Sequence, residues 1–157
     1  MDDATKIEFL EASIEVFAKS EYTDTEAVKR ILIVLSEVPV YFPVEIDFES
    51  LVGNINPMEL KAGDTLQPQS AVKMKFCTLV SDDKGEVISM FTSKSRTNNP
   101  EGISIVRYYP QDYLSMLIQM DKHVIINPFS EYRFLLTKEL MREVLWPFVQ
   151  RNTEKFI

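Results

Sequence analysis

The stretch from Val38 to Asp47 reads VPVYFPVEID. Its β-branched and aromatic residues favour an extended chain, yet it carries two prolines, Pro39 and Pro43. Along a strand the amides point alternately to the two edges, so prolines four residues apart remove donors from the same edge. The pattern predicts a strand from Val38 to Ile46 at the border of a sheet, proline side outward. Such a border resists accidental pairing with another chain.

Around it, hydrophobic spacing sets out the other elements. Ile7, Leu10, Ile14 and Phe17 recur at three- and four-residue steps, and so do Val28, Ile31, Leu32 and Leu35. Each series predicts a helix with one apolar stripe. Thr23, three residues before Glu26, predicts a capping box at the start of the second helix. Asp47 to Pro68 reads as a connection of about twenty residues, long enough to suggest a short helix near Pro57 or a functional loop. Val72 to Phe76 alternates apolar and charged residues, the pattern of a strand with one covered face. Ser81 to Gly85 supplies turn chemistry, with Val87 to Thr92 as the returning strand.

Ile103 to Tyr108 predicts a further strand. Pro110 suits the first turn of a helix with a Tyr113, Leu114, Leu117, Ile118 stripe. Val124-Ile125-Ile126 lacks alternation and predicts a strand covered on both faces. Pro128 ends pairing and should hold Asn127 extended. Tyr132 to Leu136 predicts a short strand and Thr137 the cap of a last helix. Leu140, Met141, Val144, Leu145 and Phe148 would form that helix's apolar side, and Pro147 should stop or kink it. The fold class expected is α+β in one domain spanning 1–157: a mainly antiparallel or mixed sheet packed with helices, two at the N-terminus and one at the C-terminus.

Function is narrowed mostly by exclusion. Apolar residues at 45% and charged residues at 26% make a core possible and disorder unfavourable. No apolar run approaches the roughly 20 residues that span a bilayer, and the acidic N-terminus is unlike a secretory leader. A cytoplasmic location is therefore expected, which the single cysteine, Cys77, also fits. The formal charge of −7 disfavours nucleic acid and anionic membrane as partners. Charge is uneven: residues 1–66 hold 5 basic and 14 acidic side chains, residues 67–157 hold 12 and 10.

Motifs for nucleotide, metal or hydrolytic chemistry are absent from the sequence. One His and one Cys cannot build a multi-ligand zinc site in one chain, so no metal and no cofactor is expected. His123 would have to serve any Ser-His or Cys-His catalysis, but at a strand entrance it reads as an ordinary structural histidine. Cys77 shares strand parity with Lys73 and Lys75, whose charge would favour a thiolate on an open face; a small buried apolar residue is the plainer reading. Lys73, Lys75, Lys94, Arg96 and Arg107 could gather into a basic patch for an acidic peptide or phosphate, or stay scattered as solubilising charge. Trp146, Phe148, Phe156 and Ile157 offer aromatic and aliphatic anchors near the C-terminus.

The run VPVYFPVEID, the MFTS at Met90 to Ser93, the segment DYLSMLIQM, and above all VIINPF followed by YRFLLTKEL together resemble the N-terminal domain of the SseB family, proteins named for enhanced serine sensitivity. The resemblance covers nearly the whole chain. It implies a compact α+β domain, no catalytic motif, and Asn127, Pro128 and Phe129 as a family hallmark. Physically these three read as structural, Asn127 fixing a turn through its side chain and Phe129 packing on the following helix. Longer family members carry a second domain, which a chain of this length would not hold. The expected function is a non-catalytic cytoplasmic interaction or regulatory module with a protein partner. Two alternatives stand beside it. One is a small-metabolite-binding protein or enzyme with a pocket near the loop of residues 47–68. The other is a toxin-neutralising immunity protein whose acidic half faces a basic target.

Overall fold

The computed structural model describes residues 2–46, 74–81, 83–98 and 103–154. The expected connection of residues 47–68, together with Lys73, Phe156 and Ile157, lies outside the described residues.

The architecture is α+β. Helix α1 is Asp3–Lys19 and α2 is Thr25–Leu35. Strands β1 (Val40–Ile46), β2 (Met74–Phe76), β3 (Thr78–Ser81), β4 (Gly85–Met90) and β5 (Ser104–Tyr108) follow, with a short 3-10 turn at Lys94–Thr97. Helix α3 is Pro110–Met120, and β6 (Val124–Ile126) and β7 (Phe134–Leu136) come next. The last helix, α4, runs without a break through Lys138–Leu140, a π-helical turn Met141–Leu145 and Trp146–Glu154. Two sheets form, β2-β1-β5 and the mixed β3-β4-β6-β7, in which β4 and β6 are parallel. The chain between those parallel strands supplies β5 and α3, the long crossover that a parallel pair requires. No described helix is long and apolar enough to cross a membrane.

One core cluster draws on every helix and both sheets: Leu10 and Ile14 of α1, Ile31 and Leu35 of α2, Phe42 and Val44 of β1, Ile88 and Met90 of β4, Leu114 and Leu117 of α3, Val124 and Ile126 of β6, and Met141, Leu145 and Val149 of α4. The stripes expected on the first three helices are the ones that meet here. Deep in the cluster the Tyr113 hydroxyl has no hydrogen-bond partner among the described residues, and burial pushes its pKa up.

Five expectations are corrected. First, β1 is the middle strand of its sheet, not a border. Its prolines remove donors from one edge only, and β5 pairs along the strand from Val40 to Val44. On the proline edge, Tyr41 exchanges both backbone hydrogen bonds with Phe91 at 2.8 and 2.9 Å, and the Pro43 carbonyl accepts from the Cys77 N–H at 3.0 Å. Because Pro43 offers no N–H in return, the Cys77 carbonyl turns to Ser89, whose N–H and hydroxyl both donate to it at 3.4 Å. Cys77 thus becomes the joint at which the chain leaves one sheet for the other, and the expected partner of Val87 to Thr92 is Thr78–Ser81 rather than Val72 to Phe76.

Second, Asp24 rather than Thr23 caps α2, accepting from the Ala27 N–H at 3.1 Å; Thr23 instead donates its hydroxyl to the Ser20 carbonyl. An ionised acceptor is a strong cap. Third, Pro147, expected to stop or kink the last helix, does not stop it. The π turn before it, in which the Trp146 N–H reaches the Met141 carbonyl, widens the helix where a proline ring would meet the preceding turn. That wider turn also resets the buried side to Met141, Leu145 and Val149 at four-residue steps, leaving Val144 exposed. Fourth, β6 is sealed on one face only: Val124 and Ile126 are fully buried while Ile125 is half-buried. Fifth, Asn127 is not extended before Pro128 but adopts a positive φ of 53°, for reasons that belong to the site.

Candidate functional site

The corner after β6 is built around Asn127, which is 3% exposed. Its Oδ1 accepts from the Thr92 N–H at 3.0 Å, its Nδ2 donates to Thr92 Oγ1 at 3.0 Å, and its own N–H donates to the Met90 carbonyl at 2.9 Å. Asparagine tolerates the left-handed region better than most side chains, and here the side-chain bonds hold it there. Chain reversal follows, with the Ser130 N–H donating to the Asn127 carbonyl. Phe129 does not pack on α4: it is 55% exposed, its ring lying against Phe91 with centroids 5.6 Å apart.

From this corner a polar network extends to α1. Thr92 Oγ1 donates to Glu11 Oε1 at 2.6 Å, and Arg96 makes a two-pronged contact with the same carboxylate, Nε to Oε1 at 2.7 Å and Nη2 to Oε2 at 2.9 Å. Arg96 Nη1 also donates to Ser130 Oγ at 3.1 Å. A 370 Å³ recess opens beside it, lined by Glu8, Glu11, Glu15, Arg96, Glu131 and Tyr132. Burial works to raise the Glu11 pKa, but the hydrogen bonds from Arg96 and Thr92 and the guanidinium charge outweigh it, and the net shift is downward. A lowered folded-state pKa stabilises the fold above the unfolded carboxylate value, about 4.3, and that stabilisation is lost as pH falls through the folded value. Glu11→Gln is therefore expected to flatten the acid limb of a stability-against-pH curve, measured by urea unfolding between pH 3 and 7. An unchanged limb would contradict the assignment.

A second concavity lies on the face of the four-stranded sheet away from the core. Leu79 of β3, Val87 of β4, Ile125 of β6 and Leu135 of β7 share that face by register, and none belongs to the core cluster. With Tyr22, Val80 and Pro128 they line a 740 Å³ groove whose charged lining residues are Asp83, Lys84 and Arg133. Val80 is 83% and Tyr22 67% exposed. Tyr22 also holds a φ of 63°, a conformation unusual for a bulky side chain; its N–H bond to the Phe17 carbonyl and edge-on contact with the Phe17 ring keep it at the groove's rim. The Asn127-Pro128-Phe129 corner thus separates two concavities. Pro128 faces the groove, while Phe129 lines a polar recess with Ser93, Arg96 and Ser130.

The basic residues singled out from sequence, Lys73 aside, lie on three separate elements. Lys75, exposed on β2, lies opposite Glu45. Lys94 and Arg96 sit on the 3-10 turn, with Arg96 taken up by Glu11. Arg107 on β5 stands over the Tyr109 ring and 3.9 Å from Asp3. His123 Nδ1 accepts from the Lys138 N–H at 3.0 Å and so caps α4 alongside Thr137, which accepts from the Leu140 N–H. Burial, helped by Glu45, raises the Cys77 thiol pKa against the pull of Lys75, which is the reverse of activation.

Glu11 and Thr92 escaped the sequence reading. A carboxylate on the flank of the α1 stripe, four residues after Ile7 and three before Ile14, was the available signal. The groove had one too: the central residues of VII and FLL are apolar although β6 and β7 have only one sealed face.

No curated protein and no solved structure matches the chain significantly. The model of the SseB protein N-terminal domain matches residues 10–143, from inside α1 to inside α4, a span that holds the corner, the lining of the groove and, Glu8 apart, that of the recess. The chain belongs to the SseB family.

Proposed function

We propose that this domain is a non-catalytic protein-interaction module of the cytoplasm that docks its partner in the groove on the outer face of the four-stranded sheet. The carrying observation is the groove itself, in which aliphatic side chains from four strands converge outside the core. Aliphatic side chains on its floor and polar and charged groups around them give the groove the mixed lining of a protein-binding surface. The polar groups elsewhere support a non-catalytic reading: Glu11 is held ionised by Arg96, His123 caps a helix, and the Cys77 thiol is disfavoured as a thiolate.

A photo-crosslinking side chain at Val80, in the full chain inside cells, is expected to give discrete adducts that disappear when Ile125→Thr is added. The same side chain at Ile33, on the outward face of α2 and also exposed, should give none of them. Equal labelling at both positions, or no adduct at Val80, would overturn the reading.

A second reading, a small-metabolite-binding protein, is favoured by one observation, the 370 Å³ recess beside Glu11 and Arg96. It would appear as a ligand-dependent rise in melting temperature that Arg96→Ala removes and Ile125→Thr does not.

A further inference from the structure

The charges at the groove's rim bear on what occupies it. Most cations nearby are paired: Lys122 with Glu86, Lys138 and Arg142 with Asp121, Arg96 with Glu11, Lys19 with Glu15. Lys84 and Arg133 are different. Both line the groove, both are exposed, and neither makes an ion pair among the described residues. Lys84 lies in the turn between β3 and β4, and Arg133 immediately precedes β7.

Their positions follow from register. Ile88 of β4 stands level with Val124 of β6 and Leu136 of β7, so Arg133 lies towards one end of the sheet and Lys84 towards the other. With a rise of about 3.3 Å per residue and about 4.8 Å between strands, the two sit at diagonal corners roughly 25 Å apart. The line between them crosses the apolar row of Val87, Ile125 and Leu135.

Resting on the docking reading above, we infer that the groove takes an extended protein segment of about seven residues, apolar at alternate positions and carrying a carboxylate at each end. An extended chain covers about 23 Å in seven residues, which matches the diagonal; a helix of that length would need about fifteen. Alternate side chains of an extended segment point to one side and meet the aliphatic row, while the terminal carboxylates reach the two unpaired cations. Asp83 beside Lys84 weakens that corner, so Arg133 is the firmer anchor. The protein's net charge of −7 opposes an acidic partner only weakly at physiological salt, where fields decay over about 8 Å.

The probe is a fluorescein-labelled seven-residue peptide, Glu-Thr-Val-Thr-Val-Thr-Glu, whose carboxylates and valines share one face when extended, compared with versions ending in Gln or Lys at both ends, titrated with the full chain and read by anisotropy at low salt. The Glu-ended peptide is expected to bind about tenfold more tightly than the Lys-ended one, with Gln between, as a few exposed charge contacts allow. Lys84→Glu with Arg133→Glu, both surface positions whose folding is checked by circular dichroism, should invert the order. Affinities within twofold of one another, an order unmoved by the double charge reversal, or no binding of any peptide at millimolar concentration would each overturn the inference. Equal binding that Ile125→Thr abolishes removes only the charge preference and leaves the groove as a docking site. Loss of peptide binding together with loss of the Val80 adducts removes both.

Discussion

Replacing Phe42 by alanine is expected to cost about 3–5 kcal/mol of stability, the range for a fully buried aromatic, against a total of about 5–15 kcal/mol for a typical domain. Phe42 is fully buried at the centre of the three-stranded sheet. Its ring meets Phe76 of β2 at 5.2 Å, Tyr108 of β5 at 6.3 Å and Tyr113 of α3 at 5.2 Å. One side chain therefore joins both neighbouring strands and a helix from the crossover. Urea unfolding followed through Trp146 fluorescence would read the loss as a lower midpoint at constant slope. Phe42→Leu keeps most of the volume and should cost considerably less. A loss below 1 kcal/mol for alanine would mean that the surrounding aromatics collapse into the space.

The second large effect is expected at Asn127. Alanine there removes the acceptor of the buried Thr92 N–H, at about 1–3 kcal/mol for an orphaned donor. It also leaves a Cβ-bearing residue at a φ of 53° without the side-chain bonds that hold it, at about 1–2 kcal/mol. The sum is about 2–5 kcal/mol. Asn127→Gly separates the two contributions, since glycine accepts the positive φ but not the hydrogen bonds. If the glycine and alanine variants unfold at the same denaturant concentration, backbone conformation contributes nothing at this corner. If both equal wild type, the Thr92 N–H must find another acceptor.

The two predictions mark two kinds of legibility. Phe42 was readable as part of an extended, apolar run, because propensity and pattern are properties of adjacent residues. Asn127 was readable as a turn anchor, but its conformation was not, because its partner Thr92 lies 35 residues earlier. Rules about the residue before a proline describe local clashes, and two long-range side-chain hydrogen bonds can outweigh such a preference. Glu11 is the extreme case. Its partner Arg96 is 85 residues away, so neither reads as special until the fold brings α1 beside the 3-10 turn. The placement of β1 failed similarly. Its two prolines limit donors on one edge, but whether neighbours fill both edges depends on where Cys77 and Phe91 arrive.

Sequence alone determined the apolar stripes of the first three helices, most of the strand positions between them, the cap at Thr137, Pro110 in the first turn of its helix, and the α+β class, since each follows from spacing within a few residues. Tertiary structure alone decided that β1 is central, that the aliphatic residues of β3, β4, β6 and β7 form a groove, and that Arg96 is spent on Glu11 while Lys84 and Arg133 have no ion-pair partner among the described residues. The physical reason is range. Backbone propensity acts between neighbours in the chain, whereas pairing, burial and charge balance act between neighbours in space.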